Sequence, residues 1–255
     1  MFHAKLEKIR EIKIVIDATR DLIDVANVKL NKKGLSFQAV DTSRTALVDF
    51  HLGTKAFTEL KSSQEIMLGI KFINLFKVFK CIDGDHSLEI SNADEEKFVR
   101  LFFKDSPEMK LARFNLNLVT KLEDELDIPD TPYDSKVIIN SEEFSRIIRD
   151  FSQISEDLNI HANHNFFSLN VKSEFIEGTI VYKNSDAHGK GRFFKMNVKG
   201  NYSGTFSLKF LNEFCRSSPL SENIILYFSE NTPLVVEYVI QNYGSLRYFL
   251  ASKMT

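Results

Sequence analysis

Four groups of residues have types and spacings that could support catalysis or metal binding. They are the H-x-x-H pair His161 and His164, the segment Gly189-Lys190-Gly191, the acidic residues 123–130, and the cysteines Cys81 and Cys215. The histidine pair falls where a strand pattern gives way to a loop, without further ligands, so we interpret it as a surface pair and predict no metal site. The glycine-lysine segment lacks the preceding glycine and the following Ser or Thr of a phosphate-binding loop.

The carboxylates and the thiols do not form a catalytic arrangement either. Residues 123–130 are acidic but solvated, so we do not expect the raised carboxylate pKa values that acid-base catalysis uses. Two cysteines are too few for a disulfide framework and indicate a reducing compartment. No nucleophile stands beside a base in a recognisable motif. We therefore predict a protein that is not an enzyme and has no cofactor.

Bulk composition limits the remaining classes of function. The chain has 255 residues, 43% of them hydrophobic, which is enough for one large or two medium globular domains. Lys and Arg number 33 against 35 Asp and Glu, so the net charge is −2. Any attraction to nucleic acid must then come from segregated charge. The first residues do not resemble a signal peptide and no apolar run is long enough for a membrane span, so we expect a soluble intracellular protein.

Four amphipathic helices are predicted, and their outward faces are basic. The first spans residues 9–23, the second begins near Phe72, the third follows Asn140 and the fourth begins near Lys209. Asn140 and Glu143 form an N-terminal capping pattern for the third helix. The plainer interpretation of the basic residues is solvation of exposed faces, and Asp17, Asp21 and Glu213 dilute the charge. The outward cations are Lys13, Arg20, Lys77, Lys80, Arg146, Arg149, Lys209 and Arg216.

Alternating stretches predict strands around these helices, in the same order in both halves of the chain. Residues 70–77 are echoed by residues 208–215, and each echo opens the second helix of its half. We predict a duplicated α+β protein in which each copy is an antiparallel sheet with two helices on one face. The predicted parts are an N-terminal domain 1–117, an acidic proline-containing connector 118–134 and a C-terminal domain 135–255.

Four motifs in the second half and the connector carry a resemblance to a known family. The chain resembles the proliferating cell nuclear antigen family, the eukaryotic DNA sliding clamps, almost without gaps. The opening Met1-Phe2 and the segments 35–47 and 71–81 match in order and spacing. The four motifs are Leu126-Asp127-Ile128-Pro129, Ser145-Arg146-Ile147-Ile148-Arg149-Asp150-Phe151-Ser152, Pro233-Leu234-Val235-Val236-Glu237-Tyr238 and Leu246-Arg247-Tyr248-Phe249-Leu250-Ala251.

The resemblance implies a nuclear processivity factor for DNA replication and repair. Family members have the DNA clamp fold and form a closed homotrimeric ring whose helices line a hole for duplex DNA. The eight cations named above would line that hole and touch phosphates, which carry no sequence information and permit sliding. Ile14 and Gln153 stand where family members often carry a basic or titratable residue, which implies a lighter grip.

The resemblance also implies which edges close the ring. The family continues its sheets from subunit to subunit through two edge strands, which match residues 109–118 and 174–183. An alternative for the aromatic residues is the core of their own domain, and for Phe114 the two interpretations are nearly balanced. The expected contact residues are Lys110, Phe114, Phe175, Gly178 and Tyr182.

A docking surface for partner proteins is the third implication. In the family, polymerases, the clamp loader, nucleases and ligases insert a helical turn with one aliphatic and two aromatic residues into an apolar pocket beside the connector. Phe249 and Ser252 stand where the family commonly has tyrosine and proline. The matching positions are Val40, Leu47, Leu126, Ile128, Pro233, Phe249, Leu250 and Ala251, with Arg44 and Thr45 at the rim.

One departure and one alternative function complete the expectations. The lysine that accepts ubiquitin in the family is absent, because Asn163-His164-Asn165 occupies its loop. We therefore predict no conjugate at this loop. The alternative function is a subunit of a heterotrimeric checkpoint clamp that acts as a protein-interaction module. The connector motif 126–129 and the short chain favour the homotrimeric clamp.

Overall fold

The computed structural model describes residues 2–62, 64–92, 97–105, 109–120, 133–184, 194–241 and 243–253. The chain divides into two compact units. Unit 1 consists of Met1–Arg44, Val48–Asp127 and Ile240–Leu246, and unit 2 of Thr45–Leu47, Ile128–Val239 and Arg247–Thr255. The connector boundaries at 118 and 134 remain a prediction. Within the described ranges, no helix is long and apolar enough to cross a membrane.

Among its described residues, the first half of the chain contains two α-helices and nine strands. The helices are α1 (Arg10–Thr19) and α2 (Phe72–Lys80). The strands are β1 (Phe2–Leu6), β2 (Val25–Asn31), β3 (Gly34–Val40), β4 (Ala46–Gly53), β5 (Glu59–Ser62), β6 (Ile66–Lys71), β7 (Ser87–Asn92), β8 (Phe98–Lys104) and β9 (Leu111–Asn117).

The second half repeats this inventory. Its helices are α3 (Ser141–Phe151) and α4 (Leu208–Phe214), the latter followed by a 3-10 turn (Cys215–Leu220). The strands are β10 (Ser135–Asn140), β11 (Asp157–Ala162), β12 (Phe166–Lys172), β13 (Glu177–Lys183), β14 (Phe194–Val198), β15 (Tyr202–Ser207), β16 (Asn223–Phe228), β17 (Leu234–Ile240) and β18 (Gly244–Leu250).

The strand pairing is the same in both units. Unit 1 contains the hydrogen-bonded orders β5-β1-β7-β8-β9 and β4-β3-β2-β6, and unit 2 contains β14-β10-β16-β17 and β13-β12-β11-β15. Adding nine to each strand number of unit 1 gives the order in unit 2, except that β9 would match β18, a strand with residues in both units. The predicted duplication of an antiparallel α+β design is confirmed. Each copy has two sets of strands, where the alternating pattern predicted a single sheet.

One layer of helices covers both sets of strands in unit 1. The Phe72 ring at the start of α2 meets Phe37 of β3 edge-on at 5.0 Å, while the Phe79 ring at the end meets Phe103 of β8 at 5.5 Å. All four rings are buried. Because a single helix supplies aromatic contacts to both sets, the strands share one core, and the opposite face of α2 is left for solvent.

Local chemistry explains where two of the helices begin and end. The Asn140 side chain accepts a hydrogen bond from Glu143 N at 3.0 Å, so the predicted cap of α3 is confirmed. Helix α1 is shorter than the predicted span 9–23 because the chain turns at Thr19. The carbonyl of Thr19 accepts from both Leu22 N (3.1 Å) and Ile23 N (3.0 Å), which closes the helix.

The echo between residues 70–77 and 208–215 is offset from the structural repeat by two residues. Helix α2 begins at Phe72 and helix α4 at Leu208, each directly after a strand. Phe72 and Leu208 are therefore equivalent, whereas the echo aligns Phe72 with Phe210. The repeat is real, but the matching letters mark its position only approximately.

Candidate nucleic-acid interface, assembly edges and docking surface

In unit 1 the predicted cations of α2 face solvent, while that of α1 is engaged with the protein. Lys77 and Lys80 are exposed on the last turn of α2. The Lys13 ammonium of α1 donates a hydrogen bond to the carbonyl of Ile82, just beyond the end of α2. A cation beside the carbonyls that end a helix is a favourable partner for them. Lys13 therefore joins the two helices and has less charge to offer to a ligand.

Arg20 is held in place by three groups. Its guanidinium pairs with the Asp17 and Asp21 carboxylates, the latter at 3.4 Å, and lies 4.3 Å from the centre of the Phe76 ring on α2. These contacts fix the side chain across the two helices. They also compensate much of its charge, as the sequence pattern suggested for Asp17 and Asp21.

A groove of about 410 Å³ runs between these helices in unit 1. Its basic lining includes Arg10, which the sequence analysis did not select, together with Lys13, Arg20 and Lys80. Phe76 and Ile14 supply apolar surface. Arg10 is exposed at the first residue of α1, and helical spacing places it on the same face as Lys13 and Arg20.

In unit 2 the cations of α3 and α4 are more open. Arg146, Arg149 and Lys209 are all exposed. The guanidinium of Arg149 lies 3.8 Å from the Asp150 carboxylate, a long exposed pair of little energetic weight. Arg216 pairs with Glu213 at 3.0 Å. The predicted basic helix faces are thus present in each unit, with the most accessible charge on α3 and at the start of α4.

The two strands expected to close a ring both lie at the end of their set of strands. In the described part of unit 1, β9 is hydrogen-bonded to β8 alone, and in unit 2 β13 is bonded to β12 alone. Apolar residues are exposed on both. Leu111 is 56% exposed on β9 and Val181 50% on β13, and Phe175 before β13 is 86% exposed. Edge strands with exposed apolar side chains favour association with another chain.

The five expected contact residues differ in their surroundings. Lys110 and Phe175 are exposed, and Gly178 is half-buried. Phe114 is half-buried against Phe103 of its own unit, with ring centres 6.0 Å apart, so it belongs at least in part to the core. Tyr182 stacks on Phe194 at 4.8 Å, and its hydroxyl donates to the Glu143 carboxylate at 3.0 Å.

The expected docking residues include exposed and buried members. In unit 1, Val40 and Arg44 are exposed. In unit 2, Pro233 and Ala251 are exposed and Phe249 is half-buried. Leu250 is fully buried, which corrects its assignment: its side chain supports the strand and does not face a partner. Leu126 and Ile128 lie outside the described residues.

Two further expected docking residues lie in unit 2. Thr45 and Leu47 are half-buried, and Ala251 N donates to Thr45 O at 3.0 Å. At the loop where the family's lysine is absent, His164 is exposed and the Asn163 side chain accepts from Asn165 N at 2.8 Å. His161 is exposed on β11. Among the described residues, no group of three potential metal ligands forms, so nothing extends the histidine pair.

Comparison with known proteins assigns the whole chain. Residues 1–126 match the family model of the N-terminal domain of proliferating cell nuclear antigen, and residues 127–253 match that of its C-terminal domain. A protein named proliferating cell nuclear antigen from Dictyostelium discoideum is 30% identical over 258 residues, covering all of both chains. Its namesake from Chaetomium thermophilum is 29% identical over 255 residues, covering all of this chain and 98% of the relative. Proliferating cell nuclear antigen 2 from Drosophila melanogaster is 29% identical over 254 residues, with the same coverage.

The matches agree with the geometry. A duplicated antiparallel fold, basic helix faces and two apolar edge strands are what a non-enzymatic DNA clamp requires. The chain belongs to the proliferating cell nuclear antigen family of DNA sliding clamps.

Proposed function

We propose that three copies of this chain form a closed ring that encircles duplex DNA in the nucleus and acts as a processivity factor in replication and repair. The observation that carries the proposal is the pair of apolar edge strands, β9 and β13, in a duplicated fold. The nuclear location is inferred from the family, whose members are named as nuclear antigens.

The internal repeat supplies the logic of assembly. The counterparts of β9 and β13 are β18 and β4, and each of these two strands has residues in both units. Within unit 1, Gly53 N of β4 donates to Tyr243 O, just before β18, at 2.6 Å. The chain pairs β4 with β18, whereas their counterparts β13 and β9 each have one edge without a partner strand among the described residues. Pairing β9 of one copy with β13 of the next repeats the internal arrangement.

This pairing is head to tail, so each copy offers a different edge to its two neighbours. A heterologous contact of this kind closes into a ring when its rotation allows, and otherwise forms an open filament. Membership of the family supports closure at three copies. Each contact would cover the exposed side chains of Leu111, Phe175 and Val181.

Size determination tests the ring directly. Light scattering coupled to gel filtration, at low protein concentration, should give three times the 29.4 kDa chain mass. Phe175→Asp should yield monomers because it places a charge in the apolar contact. Val239→Asp, at an exposed apolar position away from both edges, is the matched control and should remain trimeric.

The same measurement separates the two candidate functions. A stable assembly of this chain alone supports the homotrimeric clamp. A monomer that assembles only with other subunits would contradict it and would favour the heterotrimeric checkpoint clamp.

The basic helix faces give the ring its function. Exposed Lys and Arg side chains touch phosphates without reading bases, so the ring holds DNA and still slides. Changing Lys77, Lys80 and Arg149 together to alanine should reduce loading-dependent stimulation of a DNA polymerase while leaving the trimer intact. Undiminished stimulation would contradict the assignment.

Partner proteins dock beside the connector in this proposal. In unit 2, the exposed residues Pro233 and Ala251, with half-buried Leu47 and Phe249, would receive a helical turn with one aliphatic and two aromatic residues. Leu126 and Ile128 of the connector would complete the site. Replacing both with alanine should abolish peptide binding, measured by fluorescence anisotropy, without changing the size of the ring.

A further inference from the structure

Gly69 of β6 lies where the chain that leaves β9 crosses it. Val119 N donates a hydrogen bond to Gly69 O at 2.9 Å, and the preceding Leu118 N donates to Lys97 O at 2.8 Å. Val119 and Thr120 are exposed, so their side chains provide little anchoring. These backbone bonds hold the first residues after β9 against unit 1. Leu118, Val119 and Thr120 are the first residues of the predicted connector 118–134.

The crossing leaves no room for a side chain at Gly69. A Cβ built there would lie 2.4 Å from Val119 O and 3.2 Å from Thr120 O. Both neighbours are backbone atoms, so no change of rotamer could relieve the overlap. The φ angle of Gly69 lies outside the left-handed region, so close approach and not dihedral freedom requires glycine here.

Unit 2 makes the equivalent crossing without a glycine. Thr205 stands three residues before α4, as Gly69 stands three residues before α2. Lys253 N donates to Thr205 O at 2.8 Å, while the Thr205 hydroxyl donates to Asn159 Oδ1 at 2.7 Å. The same hydrogen bond therefore tolerates a side chain in unit 2. The close approach is specific to the crossing that leads into the connector.

We propose that Gly69 is a positioning residue for the connector, and through it for the docking surface. Its missing side chain lets residues 119–120 lie directly on β6, which fixes the first residues of the connector. The part of this inference that concerns docking rests on the proposed function. The part that concerns the path of the chain does not.

Limited proteolysis of the full chain tests the path of the connector. In Gly69→Ala, the added methyl should displace Val119 and Thr120, so trypsin should cut after Lys121 about tenfold faster than in the unchanged protein. Gly84→Ala is the matched control, since its Cβ would meet the Arg10 Cβ at an ordinary 3.6 Å. That variant should be cut at the original rate, with fragments identified by mass spectrometry.

A second variant removes the same anchor from the other side. Val119→Pro has no N–H to donate to Gly69 O and leaves β6 untouched, so it should also accelerate cleavage after Lys121. It decides the question if Gly69→Ala fails to fold in a thermal scan. Unchanged cleavage in a folded Gly69→Ala protein would overturn the inference. If Gly69→Ala does not fold, unchanged cleavage in Val119→Pro would overturn it instead.

Peptide binding tests the consequence for docking. A synthetic peptide carrying the helical turn described above should bind Gly69→Ala about tenfold more weakly than Gly84→Ala, because residues 118–120 at the start of the connector are no longer held on β6. If the unchanged protein binds no such peptide while Gly69→Ala is cut faster, the docking function fails and the positioning of the chain stands. Equal peptide affinity in all variants, with faster cleavage, would overturn the link between Gly69 and docking.

Discussion

The helix faces of the two units are both basic, but they obtain their charge from different positions. The buried residues set the register: Ile12, Val15 and Ile16 of α1 match Phe144, Ile147 and Ile148 of α3. Ile14 and Asp17 of unit 1 then stand where unit 2 has Arg146 and Arg149. Aligning the starts of α2 and α4 likewise makes exposed Ile73 the sequence equivalent of Lys209.

The reverse holds for the cations of unit 1. Lys13 and Arg20 correspond to Ser145 and Ser152, and Lys77 corresponds to Glu213. Of the eight predicted cations, Lys80 and Arg216 are the one pair that shares a position. The two units therefore share a duplicated fold, and each has a basic helix face, but the basic residues occupy mostly different positions. What the two units share is the sign of the charge, which suffices for a ligand that is contacted through its phosphates.

The largest difference should appear when exposed and engaged cations are removed in matched pairs. Salt weakens duplex binding with a slope that is read from a plot of log K against log salt concentration. The double variant Arg146→Ala with Arg149→Ala should reduce the size of this slope by about 1.8, because two phosphate contacts are lost. Lys13→Ala with Arg20→Ala should change it by less than half as much, since these side chains already bind protein groups. Fluorescence anisotropy over a salt series measures both, and equal slopes would remove the distinction between the units.

The missing charges of unit 1 can be supplied from the pattern of unit 2. Ile14→Arg with Ile73→Lys should raise the slope by at most about 1.8 and tighten binding at low salt. Val239→Lys adds a cation away from the helices and should leave the slope unchanged. A similar rise in that control would indicate a bulk charge effect.

Lys13 should matter more for stability than for DNA. Lys13→Met keeps much of the aliphatic side chain but loses the bond to Ile82 O, which should cost about 1–2 kcal/mol of unfolding free energy. Lys32→Met, at an exposed turn, should cost little. Urea denaturation compares the two variants, and equal midpoints would show that the hydrogen bond from Lys13 to Ile82 O does not contribute to the free energy of unfolding.

The cysteines give the smallest test, since each unit carries one near the end of its second helix. Burial raises the pKa of the Cys215 thiol to about 12, so this thiol stays protonated and unreactive at neutral pH. Cys81 is exposed. Iodoacetamide should therefore modify Cys81 in the native protein and Cys215 only after unfolding, as mass spectrometry would reveal. Rapid native modification of Cys215 would indicate that unit 2 opens.

The sequence predicted best what local patterns determine. Helix α3 carries its own cap at Asn140 and a complete apolar face, so its position followed directly. Strand β5 was missed because it is four residues long and has no buried side chain. Strand β14 was missed although Met196 and Val198 alternate with polar residues, a signal that a stricter search for period two would have found.

The candidate site was predictable as a set of charges but not as a set of contacts. The positions of Lys13 and Arg20 on α1 follow from helical spacing. Their engagement with Ile82 O and the Phe76 ring depends on how α2 packs against α1, which no local pattern encodes. The need for glycine at residue 69 is likewise invisible in sequence, because it arises from a crossing between segments about 50 residues apart.

The hydrogen bond from Tyr182 to Glu143 has a mechanical consequence for a ring. It ties the edge strand β13 to the first turn of α3, where Glu143 lies three residues before Arg146. A force that pulls β13 away from a neighbouring copy would be transmitted to the helix that carries the most accessible charge. Opening such a ring and loosening its hold on DNA would then be a single coupled movement.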